Sequence, residues 1–78
     1  MGSIRSHADY EQCLVDILRA LGGRASPGQV KREFERRYRS AIPKDHDDRW
    51  PAQLDGAQRR LQLKKRVFAP DPELWELA

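Results

Sequence analysis

The fold turns on the run Asp48-Arg49-Trp50-Pro51-Ala52-Gln53-Leu54-Asp55-Gly56-Ala57-Gln58-Arg59-Arg60-Leu61-Gln62-Leu63-Lys64-Lys65-Arg66. Leu54, Ala57 and Leu61 recur at i, i+3 and i+7, which places one apolar stripe on a helix of about four turns. Pro51 suits the first turn of that helix, where a missing N–H costs nothing. From Arg49 to Arg66 six basic residues stand against one acid, Asp55, a local balance of +5. Residues 1–48 hold nine basic and eight acidic side chains, and residues 67–78 hold three acids and no base. The formal net charge of +3 therefore conceals a concentrated positive segment. A helix that is apolar on one side and cationic on the other is suited to presentation to nucleic acid by the remainder of the chain.

Seventy-eight residues make one small domain, which buries only ~60% of the surface of its unfolded chain. The single cysteine, Cys13, excludes an internal disulfide framework and a cysteine-based zinc site, and it fits a reducing compartment. No apolar run approaches the ~20 residues that span a bilayer, and no secretory apolar region follows Met1. Met1-Gly2-Ser3-Ile4-Arg5-Ser6 fits the loose N-myristoylation pattern, which is short and common, and one acyl chain anchors only marginally. The expectation is a soluble cytoplasmic protein with no membrane partner. The chain stops directly after Leu74-Trp75-Glu76-Leu77-Ala78, which reads as the last strand of a module, so a longer parent chain is expected.

Residues 1–7 lack periodicity and read as a flexible arm, with a single domain over 8–78. Tyr10, Leu14, Ile17, Leu18 and Leu21 form the apolar stripe of a first helix, which Cys13 borders as a small core residue. Gly22-Gly23 ends it, since glycine takes the left-handed position without steric penalty. Arg24-Ala25 suffices for a minimal strand. Ser26 caps a second helix with Pro27 in its first turn, and Val30, Phe34, Tyr38 and Ala41 form its buried row. Glu33 with Arg37 and Glu35 with Arg39 are acid-first pairs four apart that support an exposed helix. Arg32 and Arg36 lack such an acid and point to phosphate. Ile42-Pro43 closes the helix. Lys44-Asp45-His46-Asp47-Asp48 matches neither an EF-hand loop nor a zinc motif, so these acids read as partners for the next helix N-terminus; no metal or other cofactor is expected. Trp50 reads as a core anchor under the helix entry.

On the third helix Gly56 lies off the apolar stripe, on the side shared by Ala52, Arg59 and Arg60, so this face is small and then cationic. Arg60 has no acid along the helix and suits phosphate, whereas Asp55 pairs with Arg59 and holds it as a base reader. Gln53 and Gln58 are candidate base contacts and equally ordinary helix surface. Beyond Lys65 the period changes to strand (Val67-Phe68-Ala69), turn (Pro70-Asp71-Pro72-Glu73) and strand (Leu74-Trp75-Glu76-Leu77), with Trp75 and Leu77 toward the core. A bare three-helix bundle would leave Phe68, Trp75 and Leu77 without a role. The order of elements predicts a mainly α fold with a small β-hairpin, a winged helix-turn-helix of three helices plus a wing.

Leu21 to Ala25 (Leu-Gly-Gly-Arg-Ala), Trp50 at the head of the third helix, Ala57 to Leu61, Val67 and the closing Leu74-Trp75-Glu76-Leu77 resemble the N-terminal winged-helix domain of Mrr-type restriction endonucleases, over about residues 10–78. The resemblance implies a DNA-recognition module attached to a nuclease that restricts foreign, often methylated, DNA.

The expected function is double-stranded DNA binding with the third helix in the major groove. Arg32, Arg36, Arg60, Lys64, Lys65 and Arg66 are the expected phosphate contacts, and Arg59, Gln53 and Asp55 lie near base edges. Ala52 and Gly56 leave room for a base or its 5-methyl group. A homodimer on DNA is compatible with this scheme, although no heptad or apolar seam specifies one. The alternative is a protein-interaction winged helix or regulator domain that uses the hairpin and its acidic tip. No paired carboxylates, phosphate loop or activated nucleophile points to an enzyme in this chain.

Overall fold

Ser6 and Asp9 set the first helix in place. The Ser6 hydroxyl accepts the Asp9 N–H at 3.1 Å, and Asp9 returns the contact to the Ser6 N–H at 3.1 Å, so two otherwise unpaired donors are satisfied at once. In the computed structural model, which describes residues 6–42 and 49–78, α1 runs His7–Ala20, one residue earlier than the periodicity suggests. It ends where the sequence requires: the Gly23 N–H reaches back to the Leu18 carbonyl at 2.7 Å, with Gly22 in the left-handed region at φ 90°. Strand β1 is Arg24–Ala25, and α2, Pro27–Tyr38, starts from a second reciprocal cap between Ser26 and Gln29. A single 3₁₀ turn follows over Arg39–Ala41. Helix α3 spans Trp50–Leu63, and β2 (Val67–Asp71) and β3 (Leu74–Leu77) form the hairpin. The acidic loop at 44–48 lies outside the described residues.

The three strands order as β1-β3-β2, all antiparallel. Arg24 pairs with Glu76 and Ala25 with Trp75, while Val67 pairs with Leu77 and Phe68 with Glu76. The register then slips between Phe68 and Asp71, which places Pro70, without an N–H to donate, in the irregular part of the strand. Successive residues point to opposite faces of a sheet. Val67 and Trp75 therefore reach the core, with Leu77 packed against it, and Phe68 turns outward and is exposed. Phe68 belongs to the hairpin but not to the core, because adjacent Val67 and Phe68 cannot share a face.

The core forms where the apolar stripes of the helices meet the inner face of the hairpin. Leu14, Ile17, Leu18, Val30, Phe34 and Leu54 are fully buried, each contributing about 1.5–3 kcal/mol relative to exposure. Phe34 sits between three aromatic rings, Tyr10 at 5.8 Å, Tyr38 at 5.4 Å and Trp50 at 5.1 Å between centroids. Trp50 is thus a packing anchor at the entry to α3. Cys13 is buried at the edge of this cluster, and burial, with Asp16 and Asp9 adding to it, pushes its thiol up to about 11, away from nucleophilic chemistry. The result is a mainly helical, winged-helix-like fold with a small three-stranded antiparallel sheet. No helix among the described residues is long and apolar enough to cross a membrane.

Candidate nucleic-acid interface

Side chains on a helix advance by about 100° per residue, so the burial of Leu54, Ala57 and Leu61 leaves Ala52, Asp55, Arg59, Gln62 and Leu63 turned outward. Leu63 is 85% exposed, the most open large apolar side chain among the described residues. Gln62 and Leu63 are additions to the expected site. Their signal was in the sequence, because both fall off the Leu54/Ala57/Leu61 stripe. Arg59 is exposed on the outer stripe, opposite those buried residues, and has no ion-pair partner among the described residues.

The partners of the other charges differ from those that intrahelical spacing suggests. Asp55 does not hold Arg59. It pairs with Lys31 of α2, whose Nζ lies 3.1 Å from Oδ1 and 3.3 Å from Oδ2. Lys31 is a residue that reading along the sequence missed, since only the packing of α2 beside α3 brings it to Asp55.

Arg60 and Lys64 are not free phosphate ligands either. Both turn to the flank facing α1, where Glu11 is buried: Arg60 Nε is 3.2 Å from Glu11 Oε2, and Lys64 Nζ is 2.7 Å from Oε1. The hydrogen bond from Lys64 is the largest influence on Glu11; burial opposes it, Arg60 adds to it, and the carboxyl is held below its ordinary range. Lys64 keeps more than half of its side chain exposed, whereas Arg60 is mostly covered.

The same contact explains Gly56. Helical side chains lean toward the N-terminus, so Arg60 lies back over Gly56, and a Cβ at that position would stand 3.2 Å from Arg60 Nη1. The space at Gly56 is therefore filled by the guanidinium that reaches Glu11, which corrects the reading of Gly56 as an open approach for a base. Ala52 remains open to solvent.

Gln58, a candidate base contact, is buried: its amide nitrogen donates to Gln62 Oε1 at 2.9 Å and reaches the Val67 carbonyl at 3.5 Å, tying α3 to β2. Gln53 is half-buried. On α2 the two expected pairs form, Arg37 with Glu33 at 2.7 Å and Arg39 with Glu35 at 3.9 Å. Arg36 also turns to Glu33, whose carboxyl the hydrogen bonds from Arg36 and Arg37 hold below its ordinary range. Arg36 is thus paired, contrary to expectation, and Arg32 alone of that row is exposed without an acid among the described residues.

Beyond α3 the chain turns through Lys65, a non-glycine residue at φ 59°. Its N–H bonds the Gln62 carbonyl at 3.0 Å and the Arg66 N–H bonds that of Leu61 at 2.8 Å, closing the helix and leaving both side chains exposed. The outward cations without a described acid are therefore Arg32, Arg49, Arg59, Lys65 and Arg66, with Arg19 and Arg24 elsewhere on the surface. The hairpin turn carries the opposite sign: Asp71 and Glu73 are exposed, and Asp71 Oδ1 accepts the Glu73 N–H at 2.9 Å. Among the described residues no group of three or more His, Cys, Asp or Glu side chains is placed to hold a metal ion. Comparison of the chain with protein-family models, with curated proteins and with solved structures finds no match.

Proposed function

We propose that this chain is a double-stranded DNA-binding winged-helix module that sets the outer stripe of α3 into the major groove. The observation that carries the reading is Arg59: an exposed guanidinium at the centre of that stripe, without an acid among the described residues, on a helix whose other flanks are tied to α1, α2 and β2. Arg32 on the neighbouring helix and Lys65 and Arg66 at the C-terminal end of α3 supply phosphate contacts, and Arg49 stands at its N-terminal end. Arg60 and Lys64 act first as the joint between α3 and α1. The resemblance to the N-terminal domain of Mrr-type restriction endonucleases supports a role as the recognition part of a nuclease, including one directed at methylated DNA.

The test is a titration of the purified chain into labelled duplexes, unmethylated, hemimethylated and fully methylated, at several salt concentrations. Five exposed cations without an acid among the described residues predict log K falling against log [salt] with a slope near −4 to −5. Arg59→Ala flattens that slope by about one, while Arg60→Ala, already held by Glu11, changes it little. Absence of binding to any duplex at low salt refutes the reading. A second reading, a protein-interaction surface at the wing, is favoured by the exposed acidic turn at Asp71 and Glu73, which is poorly suited to grip phosphates. Reversing both acids to lysine separates the two: it abolishes partner binding under the protein reading and leaves DNA binding equal or stronger under the DNA reading.

A further inference from the structure

Only two charged groups project from the middle of the outer stripe of α3, and they are of opposite kinds. Arg59 is a donor with no acceptor capacity, and ionised Asp55 is an acceptor with no donor. They stand four residues apart on one helix face, about 6 Å along the axis, which covers about two base-pair steps. Together with Pro27 at the start of α2 and Pro72 at the hairpin turn they line a hollow of about 270 Å³ floored by Gln58 and Trp75. A carboxylate facing DNA is ordinarily repelled by the phosphates. Asp55 escapes this because both of its oxygens lie within 3.3 Å of Lys31 Nζ, yet nearly half of its side chain remains exposed.

Base edges in the major groove sort these two groups. A guanidinium finds two acceptors together, O6 and N7, on guanine, and this is the commonest specific contact of arginine. A carboxylate needs an amino group and finds it on cytosine N4, while guanine O6 and thymine O4 repel it. We propose that α3 reads a guanine through Arg59 and, within two base pairs of it, a cytosine amino group through Asp55, with Lys31 as the positioning residue that holds and neutralises Asp55. The proposal rests on the DNA-binding reading above and names the bases of that same site. Gln62 is a lesser reader, because its side-chain oxygen is already engaged by Gln58.

Selection from a duplex library with a randomised centre, followed by titration of the selected duplex and its single base-pair variants, tests the assignment. Replacing the guanine is expected to weaken binding roughly 5–150-fold, the range of one bidentate pair. Arg59→Ala removes that guanine preference and keeps the cytosine preference. Asp55→Asn, whose amide pairs with the adenine edge, moves the second preference from cytosine to adenine. Lys31→Met keeps the guanine preference and loses the cytosine one, a base-by-base pattern that general loss of stability does not produce; circular dichroism confirms that each variant is folded. Retention of library DNA without G·C enrichment overturns this inference and leaves DNA binding standing. Retention of no DNA at low salt overturns both.

Discussion

Replacing Glu11 by glutamine is expected to lower stability by about 2 kcal/mol at pH 7, and the reason is local. Hydrogen bonds to a charged group contribute about 1.5–3 kcal/mol each. The Lys64 arm is more than half exposed, so it is discounted to the ~0–1 kcal/mol of a surface pair. The Arg60 arm is mostly covered and keeps about 1.5 kcal/mol of its charge-assisted strength. Glutamine preserves the shape and one acceptor but not the charge. For a domain of this size the loss corresponds to about 8–16 °C in Tm. The pH dependence follows from the depressed folded pKa of Glu11, set first by the hydrogen bond from Lys64. Its stabilisation is fully present above the unfolded value near 4.5 and is lost as pH falls through the lower folded value. Urea unfolding of both proteins at pH 7 and at pH 3 reads this directly: the gap is about 2 kcal/mol at the first and narrower at the second, in the direction of the depressed folded value. A gap below about 0.5 kcal/mol at pH 7, the range of ordinary surface substitutions, or one unchanged at pH 3 refutes the Glu11–Arg60–Lys64 triad. The same variant releases Arg60 and Lys64, so in DNA titrations its salt slope steepens by up to about 1.8.

Two further outcomes test the backbone around α3. Lys65 occupies the left-handed region at φ 59°, so Lys65→Gly relieves a strained non-glycine residue and raises stability by about 1 kcal/mol, read as a higher urea midpoint; a lower midpoint contradicts the assigned turn. At Gly56 an added methyl meets only the far end of a flexible arginine. Gly56→Ala therefore gains up to about 1 kcal/mol of helix propensity while the guanidinium gives way by a few tenths of an ångström. If the alanine variant melts lower than the parent, the Arg60–Glu11 contact is rigid and glycine is required there.

Much of the architecture was legible because it is written in local chemistry. Ser26 before Pro27 and the Gly22-Gly23 stop each dictate a backbone conformation over a few residues, and their elements appear where those residues put them, whereas Pro70 and Asp71, expected in the hairpin turn, extend β2 and leave the turn to Pro72 and Glu73. The Ser6-x-x-Asp9 cap carried the same kind of signal and places the start of α1 one residue earlier. The charges were less legible for a physical reason. Spacing of three or four exposes partners on one helix, whereas Asp55 and Lys31 lie 24 residues apart, and Glu11 lies 49 and 53 residues from Arg60 and Lys64. Such pairs exist only after packing, and they outcompeted the intrahelical Asp55–Arg59 alternative. Phe68 is a different case. Adjacent Val67 and Phe68 on one strand could not both face inward, so the pattern itself held the answer.

The tertiary pairs also change what the positive segment is for. Of six cations between Arg49 and Arg66, two are drawn inward to a single buried acid, and Asp55, the one acid of the segment, is drawn to another helix. A basic count taken along the chain therefore overstates the cations available to a polyanion and misplaces them. What remains is narrower but better defined. Glu11 anchors one flank of α3 to α1, Lys31 joins the other to α2, and buried Gln58 links it to β2, so the outer stripe cannot roll about the helix axis without breaking a polar contact on one side. A surface held in this way loses little freedom when it docks, and side chains on a rigid element keep their spacing to a ligand. Under the proposed DNA-binding reading, the cations drawn to Glu11 thus serve recognition indirectly. They hold the helix in the orientation that leaves Arg59 and the neutralised Asp55 facing outward together.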